Sequence, residues 1–196
     1  MRRYADSYYL HNQPDITAAR PIATIRPVAK RSKRVFFSFH YADVWRAHHI
    51  RDAWTVRGKG EPAGVVDATE FQDIERRGTL AVERWCDRQL EGTSVTAVLI
   101  GAQTAARPYV HYQIRRSYVR GNGLLGIWID SIKDLSGATS WRGANPFDKV
   151  CVGGPTLLGT PLSRKFQIPV YDWVFGEGGN NLETWIDNAP RCPYDA

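Results

Sequence analysis

Five short apolar runs, spaced by stretches of helical periodicity, organise this sequence of 196 residues. Val35-Phe36-Phe37-Ser38-Phe39-His40 is the first, rich in strand formers and too short for a helix. Asp43 follows as a helix N-cap, with Val44, Ala47, Ile50 and Trp54 at helical spacing and Arg46 and Arg51 on other faces. Gly64-Val65-Val66-Asp67 reads as a second strand closed by an acid. Thr79 to Leu90 reads as a helix through Leu80, Ala81, Trp85 and Leu90, and Gly78 argues against an earlier start. Ser94 to Gly101 is nearly continuous apolar sequence, the mark of a central parallel strand covered on both faces. Thr104 and Pro108 signal a helix that runs to about Arg120, where Gly121-Asn122-Gly123 ends it. Leu124 to Ile129, closed by Asp130, is a fourth strand and Ile168 to Trp173 a fifth. Asn180 with Glu183 makes a capping box ahead of Leu182, Trp185 and Ile186. Strands alternating with helices predict an α/β fold, a central and mostly parallel five-stranded sheet with right-handed crossovers and helices on both faces. From Asp130 to Gln167 the chain is rich in Gly, Pro and Ser, and so long a loop in a compact domain is expected to be functional or poorly ordered.

The formal charge of +6 changes meaning once it is located. The first 34 residues hold eight Lys or Arg against two acids, whereas the rest hold eighteen of each. A neutral body argues against a surface that tracks nucleic acid, because such binding rests on clustered cations. Residues 1–33 carry Pro14, Pro21, Pro27 and most of the run Lys30-Arg31-Ser32-Lys33-Arg34 without any sustained period. They are expected to be a flexible basic extension, either an untidy leader or an arm that helps the chain assemble. The domain proper is expected over 34–188, with 189–196 as a tail. Apolar residues make up 43% and aromatic ones 12%, enough for a packed core to which most of the tryptophans are assigned. Cys86, Cys151 and Cys192 are odd in number and in no CxxC pairing, which fits reduced thiols rather than a disulfide framework or a zinc site. No stretch approaches the roughly 18 apolar residues of a membrane span, and no secretory signal opens the chain. A cytoplasmic protein with no membrane partner is therefore expected.

In a sheet of this kind, ligands bind beyond the carboxyl ends of the strands, where the strand order reverses. The loops there offer His40, Tyr41, Asp67, Thr104, Arg107 and Asp130. Asp67 and Asp130 are read evenly as ligand contacts or as caps of the next turn. Arg46 and Arg107 can meet phosphate or serve as paired surface groups. Phe147, after Asn145-Pro146, either folds the long loop over the site or anchors it to the core. The chain has no GxGxxG, no GxxxxGK[ST] and no metal-spaced histidine cluster, which argues against hydride or phosphoryl transfer of the usual kinds.

The run Val35 to Tyr41 followed by Asp43-Val44-Trp45-Arg46, then Gly64 to Ala68, Gly92 to Gly101, Asn145-Pro146-Phe147 and Val170-Tyr171-Asp172-Trp173, resembles the TIR-like domain of the ThsB proteins of Thoeris antiphage defence. The likeness covers about four fifths of the chain and excludes the leader. It implies a flavodoxin-like TIR fold. It also implies an enzyme that cleaves the nicotinamide–ribose bond of NAD, as substrate and not as cofactor, to make a cyclic ADP-ribose-type signal. That product would activate a partner effector of the ThsA kind after a phage component triggers the system, with assembly into dimers or filaments. In the family the chemistry rests on a glutamate in a pattern close to W-V-x-x-E-I, after the central strand. Phe39 and His40 would wall the nicotinamide pocket, and Tyr41 and Tyr109 are expected among the substrate-binding residues.

This sequence departs from the pattern at its central residue. Tyr109-Val110-His111-Tyr112-Gln113-Ile114 aligns without a gap and puts an amide where the carboxylate belongs. A carboxylate can hold ribose hydroxyls and also offset the positive charge of an oxocarbenium-like centre, whereas an amide can do only the first. At about 4 Å and an effective dielectric near 20, the lost attraction is about 4 kcal/mol, on the order of a thousandfold in rate. Two accounts of Gln113 stand: an isosteric replacement made to trap a ligand or avoid toxicity, favoured by the intact motif around it, and a natural pseudoenzyme. The rival function is a non-catalytic TIR adaptor that works by homotypic assembly.

Overall fold

The computed structural model describes residues 33–65, 68–134, 136–153 and 159–193. Its sheet is built from β1 (Val35–Phe39), β2 (Val95–Ile100), β3 (Gly123–Trp128) and the short β6 (Val170–Asp172), all parallel and in the order β1-β2-β3-β6. β2 pairs along its whole length with β3, Val95 opposite Gly123 and Ile100 opposite Trp128. All six of its residues are buried, as its unbroken apolar sequence requires.

The expected second strand, Gly64 to Asp67, is reduced to a bridge one residue earlier. Ala63 pairs with Phe36 in parallel, donating to Val35 O and accepting from Phe37 N at 2.8 and 2.9 Å. Gly64 then turns the chain away from the sheet with φ of +88°, and a Cβ there would lie 2.4 Å from Phe37 O. Val66 and Asp67 lie outside the described residues. Among the described residues the sheet therefore has four strands rather than five, but the bridge preserves the flavodoxin-like order in which the chain runs outward to opposite sides from β1 and β2.

Side chains at odd positions of β1 to β3 point to one face and even ones to the other, as strand geometry dictates. On the first face Val35, Phe37, Ala97, Leu99, Leu125 and Ile127 pack with α1 (Val44–Thr55) and α6 (Gly178–Asp187). On the second, Val98, Ile100 and Leu124 pack with Val110, Ile114 and Tyr118 of α4 (Pro108–Val119). A third cluster lies between helices: Val82, Trp85 and Cys86 of α3 (Thr79–Leu90), Phe71 and Ile74 of α2 (Ala68–Arg76), and Tyr109 and Tyr112 of α4. Helix α2 is absent from the sequence reading. Its half-buried Phe71 is held by ring contacts with distant residues rather than by a long local repeat.

Two expected caps fail. Glu177, in the left-handed region, precedes α6, so Asn180 lies inside the first turn and Glu183 instead reaches Lys59 Nζ at 2.5 Å. Asp43 precedes α1 but accepts from no helix amide; its buried carboxylate pairs with Arg46 at 3.3 Å.

The described parts of the long segment after β3 are held in place. Asp130 pairs with Arg142, which also reaches Asp172 and lies 4.7 Å over the Trp128 ring. Phe147 follows an Asn145 cap of a short 3-10 turn, Pro146–Asp148, and is wholly buried. The small antiparallel pair β4 (Cys151–Val152) and β5 (Thr160–Pro161) and the single turn α5 (Leu162–Lys165) complete it. At the ends of the domain, Lys33 Nζ donates to the final carbonyls of α6, Ile186 O and Asp187 O, and residues 189–193 run beside β3 through the Gly123–Arg191 bridge. Among the described residues no helix is long and apolar enough to cross a membrane.

Gly101 marks a close approach, since a Cβ there would lie 2.1 Å from an Asp43 carboxylate oxygen. Gly101→Ala is expected to cost about 1–3 kcal/mol by denaturant titration, because the paired carboxylate has to move. Gly179→Ala on α6, where a Cβ meets nothing within 4 Å, should be neutral or stabilising.

Candidate functional site

A cavity of about 220 Å³ opens where β1 ends and α4 begins. This is the place at which the strand order reverses. β1 and the turn after it contribute Phe37, Phe39, His40 and Tyr41. α4 and the residue before it contribute Arg107, Pro108, Tyr109, Val110 and Gln113. Gly64, Phe71 and Glu75, with Trp85 from α3, close the remaining wall.

The aromatic side of this wall is built by Phe71. Its ring stacks on Tyr41 with centroids 5.4 Å apart and meets Trp85 and Tyr109 edge-on at 5.8 and 6.5 Å. Offset stacks and edge contacts of this kind favour one arrangement of the rings. Such a surface suits a flat aromatic ligand.

Gln113 sits at the inner end, buried to 5% exposure. It faces β1 because Val110, Gln113, Ile114 and Ser117 share the buried side of α4. Its Oε1 accepts a hydrogen bond from Ser38 Oγ at 2.6 Å, and its Nε2 donates to Cys86 Sγ at 3.3 Å. Behind it, Ser117 Oγ donates to Gln113 O and Thr96 Oγ1 donates to Ser117 Oγ, at 2.7 and 2.8 Å. The two polar residues of otherwise apolar strands, Ser38 and Thr96, thus mark where α4 is held by hydrogen bonds as well as by packing. Burial pushes the Cys86 thiol up to about 11, so it stays protonated near neutrality.

The charge of the lining is sparse. Burial, with Arg107 nearby, lowers the His40 pKa below its ordinary value, so the ring is neutral near pH 7. Glu75 is the one carboxylate among the described lining residues, and Arg107 the one fixed cation. Arg107 Nη2 donates to Gln103 Oε1, while its Nε is buried without a hydrogen-bond partner.

Of the residues singled out from sequence, the structure gathers Phe39, His40, Tyr41, Tyr109 and Gln113 around one cavity, with Arg107 beside them. It does not bring four others there. Arg46 is buried against Asp43 and donates to Ile132 O at 2.9 Å, tying α1 to the segment after β3. Thr104 Oγ1 accepts from Gly101 N at 2.9 Å and so closes the turn after β2. Asp130 is engaged by Arg142, and Phe147 is a core anchor. Asp67 lies outside the described residues. Sequence reasoning missed Phe71, Glu75, Trp85 and Ser38 as site residues, the first two because the helix that carries them was not foreseen. Ser38 alone left a signal, a hydroxyl inside an apolar strand.

Comparison with known proteins bears on the family of the chain. Residues 36–134 match the family described as "Thoeris protein ThsB, TIR-like domain". A Bacillus cereus (strain MSX-D12) protein, provisionally named cyclic ADP-D-ribose synthase ThsB1, is 34% identical over 191 residues, covering 80% of this chain and 100% of the relative. With its parallel α/β sheet, a matched segment spanning β1 to the turn after β3, and a relative aligned over its full length, this chain belongs to the ThsB family of TIR-like proteins.

Proposed function

We propose that this chain is built to bind NAD in the cavity between β1 and α4, and that its fold is that of an NAD glycohydrolase or cyclase making a cyclic ADP-ribose-type signal in a Thoeris-type antiphage system. The observation that carries this reading is the placement of residue 113. Its side chain lines the cavity and is oriented by Ser38. The aromatic wall would receive the nicotinamide ring, with the ribose against residue 113.

Cleavage breaks the bond between ribose C1′ and the pyridinium nitrogen. The bonding pair leaves with nicotinamide, which departs neutral, and the sugar is left as an oxocarbenium-like cation. Water captures it in hydrolysis; a nucleophile of the same molecule captures it in cyclisation, and the displaced proton passes to solvent. A carboxylate at position 113 would steady that cation while Ser38 held its orientation. The Gln113 amide retains the hydrogen bond and lacks the charge, so this chain is expected to bind NAD and turn it over slowly. The diffusible product would act on an effector of the ThsA kind.

Gln113→Glu is expected to raise nicotinamide release from NAD, followed by chromatography, on the order of a thousandfold. If that variant releases none, alone, assembled or with the phage trigger present, the enzyme reading is overturned. In the same background Ser38→Ala should lower kcat about tenfold with little change in KM, because the lost hydrogen bond orients the carboxylate rather than the substrate.

A second reading, a non-catalytic adaptor acting by homotypic assembly, draws on two large exposed side chains, Trp141 and Phe175, at 78% and 80% exposure. An adaptor of that kind would give no heat of binding with NAD. It would also lose self-association in a Trp141→Ser, Phe175→Ser double variant when examined by sedimentation.

A further inference from the structure

Arg107 is the feature of the cavity that the chemistry at residue 113 does not use. It stands immediately before α4, a helix of 12 residues with Pro at its start and no side-chain cap. Arg107 lines the cavity, and its Nη2 donates to the exposed side chain of Gln103 while its Nε is buried without a hydrogen-bond partner. The neighbouring His40 is kept neutral by burial and by Arg107 itself, so Arg107 is the only fixed positive charge among the described lining residues.

The size of the cavity says how much of a ligand it takes. About 220 Å³ is below the roughly 300–1,000 Å³ that encloses a drug-sized molecule, so a whole dinucleotide does not fit inside. One flat base and its ribose fill it, and the rest of the ligand must emerge past the rim. In an intact nicotinamide dinucleotide the group that follows the inner ribose is the diphosphate. The ligand's own charges match the lining, since its pyridinium is cationic and its diphosphate anionic, and the lining offers one carboxylate, Glu75, and one guanidinium. A guanidinium is suited to paired phosphate oxygens by its fork of donors.

We propose that Arg107 is the positioning residue that receives the diphosphate of the dinucleotide at the cavity rim, and so selects dinucleotides over nucleosides and sets the base-first orientation in which ribose reaches residue 113. This rests on the reading of the cavity as an NAD site. Arg107 touches neither the breaking bond nor the leaving group. Its loss should therefore appear in binding and KM far more than in kcat.

Calorimetry on the full chain with Gln113 in place tests this with two probes, NAD and nicotinamide riboside, which shares the cationic base and ribose but has no diphosphate. Arg107→Gln is expected to weaken NAD by about 10- to 100-fold, with a smaller salt dependence of binding than the parent, and to change nicotinamide riboside by less than about twofold. Arg107→Lys, which keeps the charge but not the fork, should recover part of the loss. In the Gln113→Glu background the same substitutions should raise KM for NAD with kcat nearly constant and leave kcat/KM for nicotinamide riboside unchanged. NAD affinity unaltered by Arg107→Gln, or both probes weakened equally in a variant that melts like the parent, would overturn the assignment. Failure of the parent chain to bind either probe would instead remove the NAD reading on which the assignment rests.

Discussion

The hydrogen bond that Ser38 Oγ donates to Gln113 Oε1, 2.6 Å long and fully buried, joins the end of β1 to the second turn of α4. The cavity lies where those two elements separate around it. A polar contact in so apolar a setting is costly unless both partners are satisfied. Here the Gln113 amide is satisfied at both ends, by Ser38 and by Cys86, and the helix backbone behind it is tied through Ser117 to Thr96 on β2. Residue 113 is therefore held by β1, β2 and α3 together, and its position relative to the cavity is a property of the sheet rather than of a loop.

Electrostatics around the sheet divides into two jobs. The acids and arginines beyond the strand ends mostly hold the chain together: Asp43 with Arg46, and Asp130 and Asp172 with Arg142, brace α1 and the long segment after β3. Burial raises the Asp43 carboxyl pKa, and Arg46 opposes that shift. Inside the cavity the field is weak and directional, because His40 is neutral and the lining carries one acid and one base. On the proposed reading, the charge at residue 113 would decide between binding and turnover in such a cavity.

Much of the fold could be read from the chain because its strands are buried on both faces. Ser94 to Gly101 and Leu124 to Ile129 had to be apolar throughout, and sequences of that kind have few alternatives. Short elements were harder. Gly64 to Asp67 looked like a strand, yet Gly64 has a positive φ and, among the described residues, the pairing is confined to Ala63. The capping box at Asn180 and the cap at Asp43 failed because other partners, the distant Lys59 for Glu183 and the local Arg46 for Asp43, competed for the same carboxylates. Phe147, read either as a lid or as an anchor, proved to be an anchor because the face of Ile100 and Ile114 needed filling.

Local pattern was sufficient for the layer architecture and for the start of α4 at Pro108, whereas the burial of Gln113 beside Val110, Ile114 and Ser117 was decided by the tertiary structure. The architecture and the helix start follow from periods of two and 3.6 and from backbone chemistry that acts within a few residues. The wall of the cavity was settled by contacts between residues far apart in sequence. Phe71 meets Tyr41, Trp85 and Tyr109, Ser38 meets Gln113, and Arg107 is left at the rim with an unpaired nitrogen. Side-chain packing and desolvation depend on what lies across space, and such neighbours exist only once the chain has closed on itself.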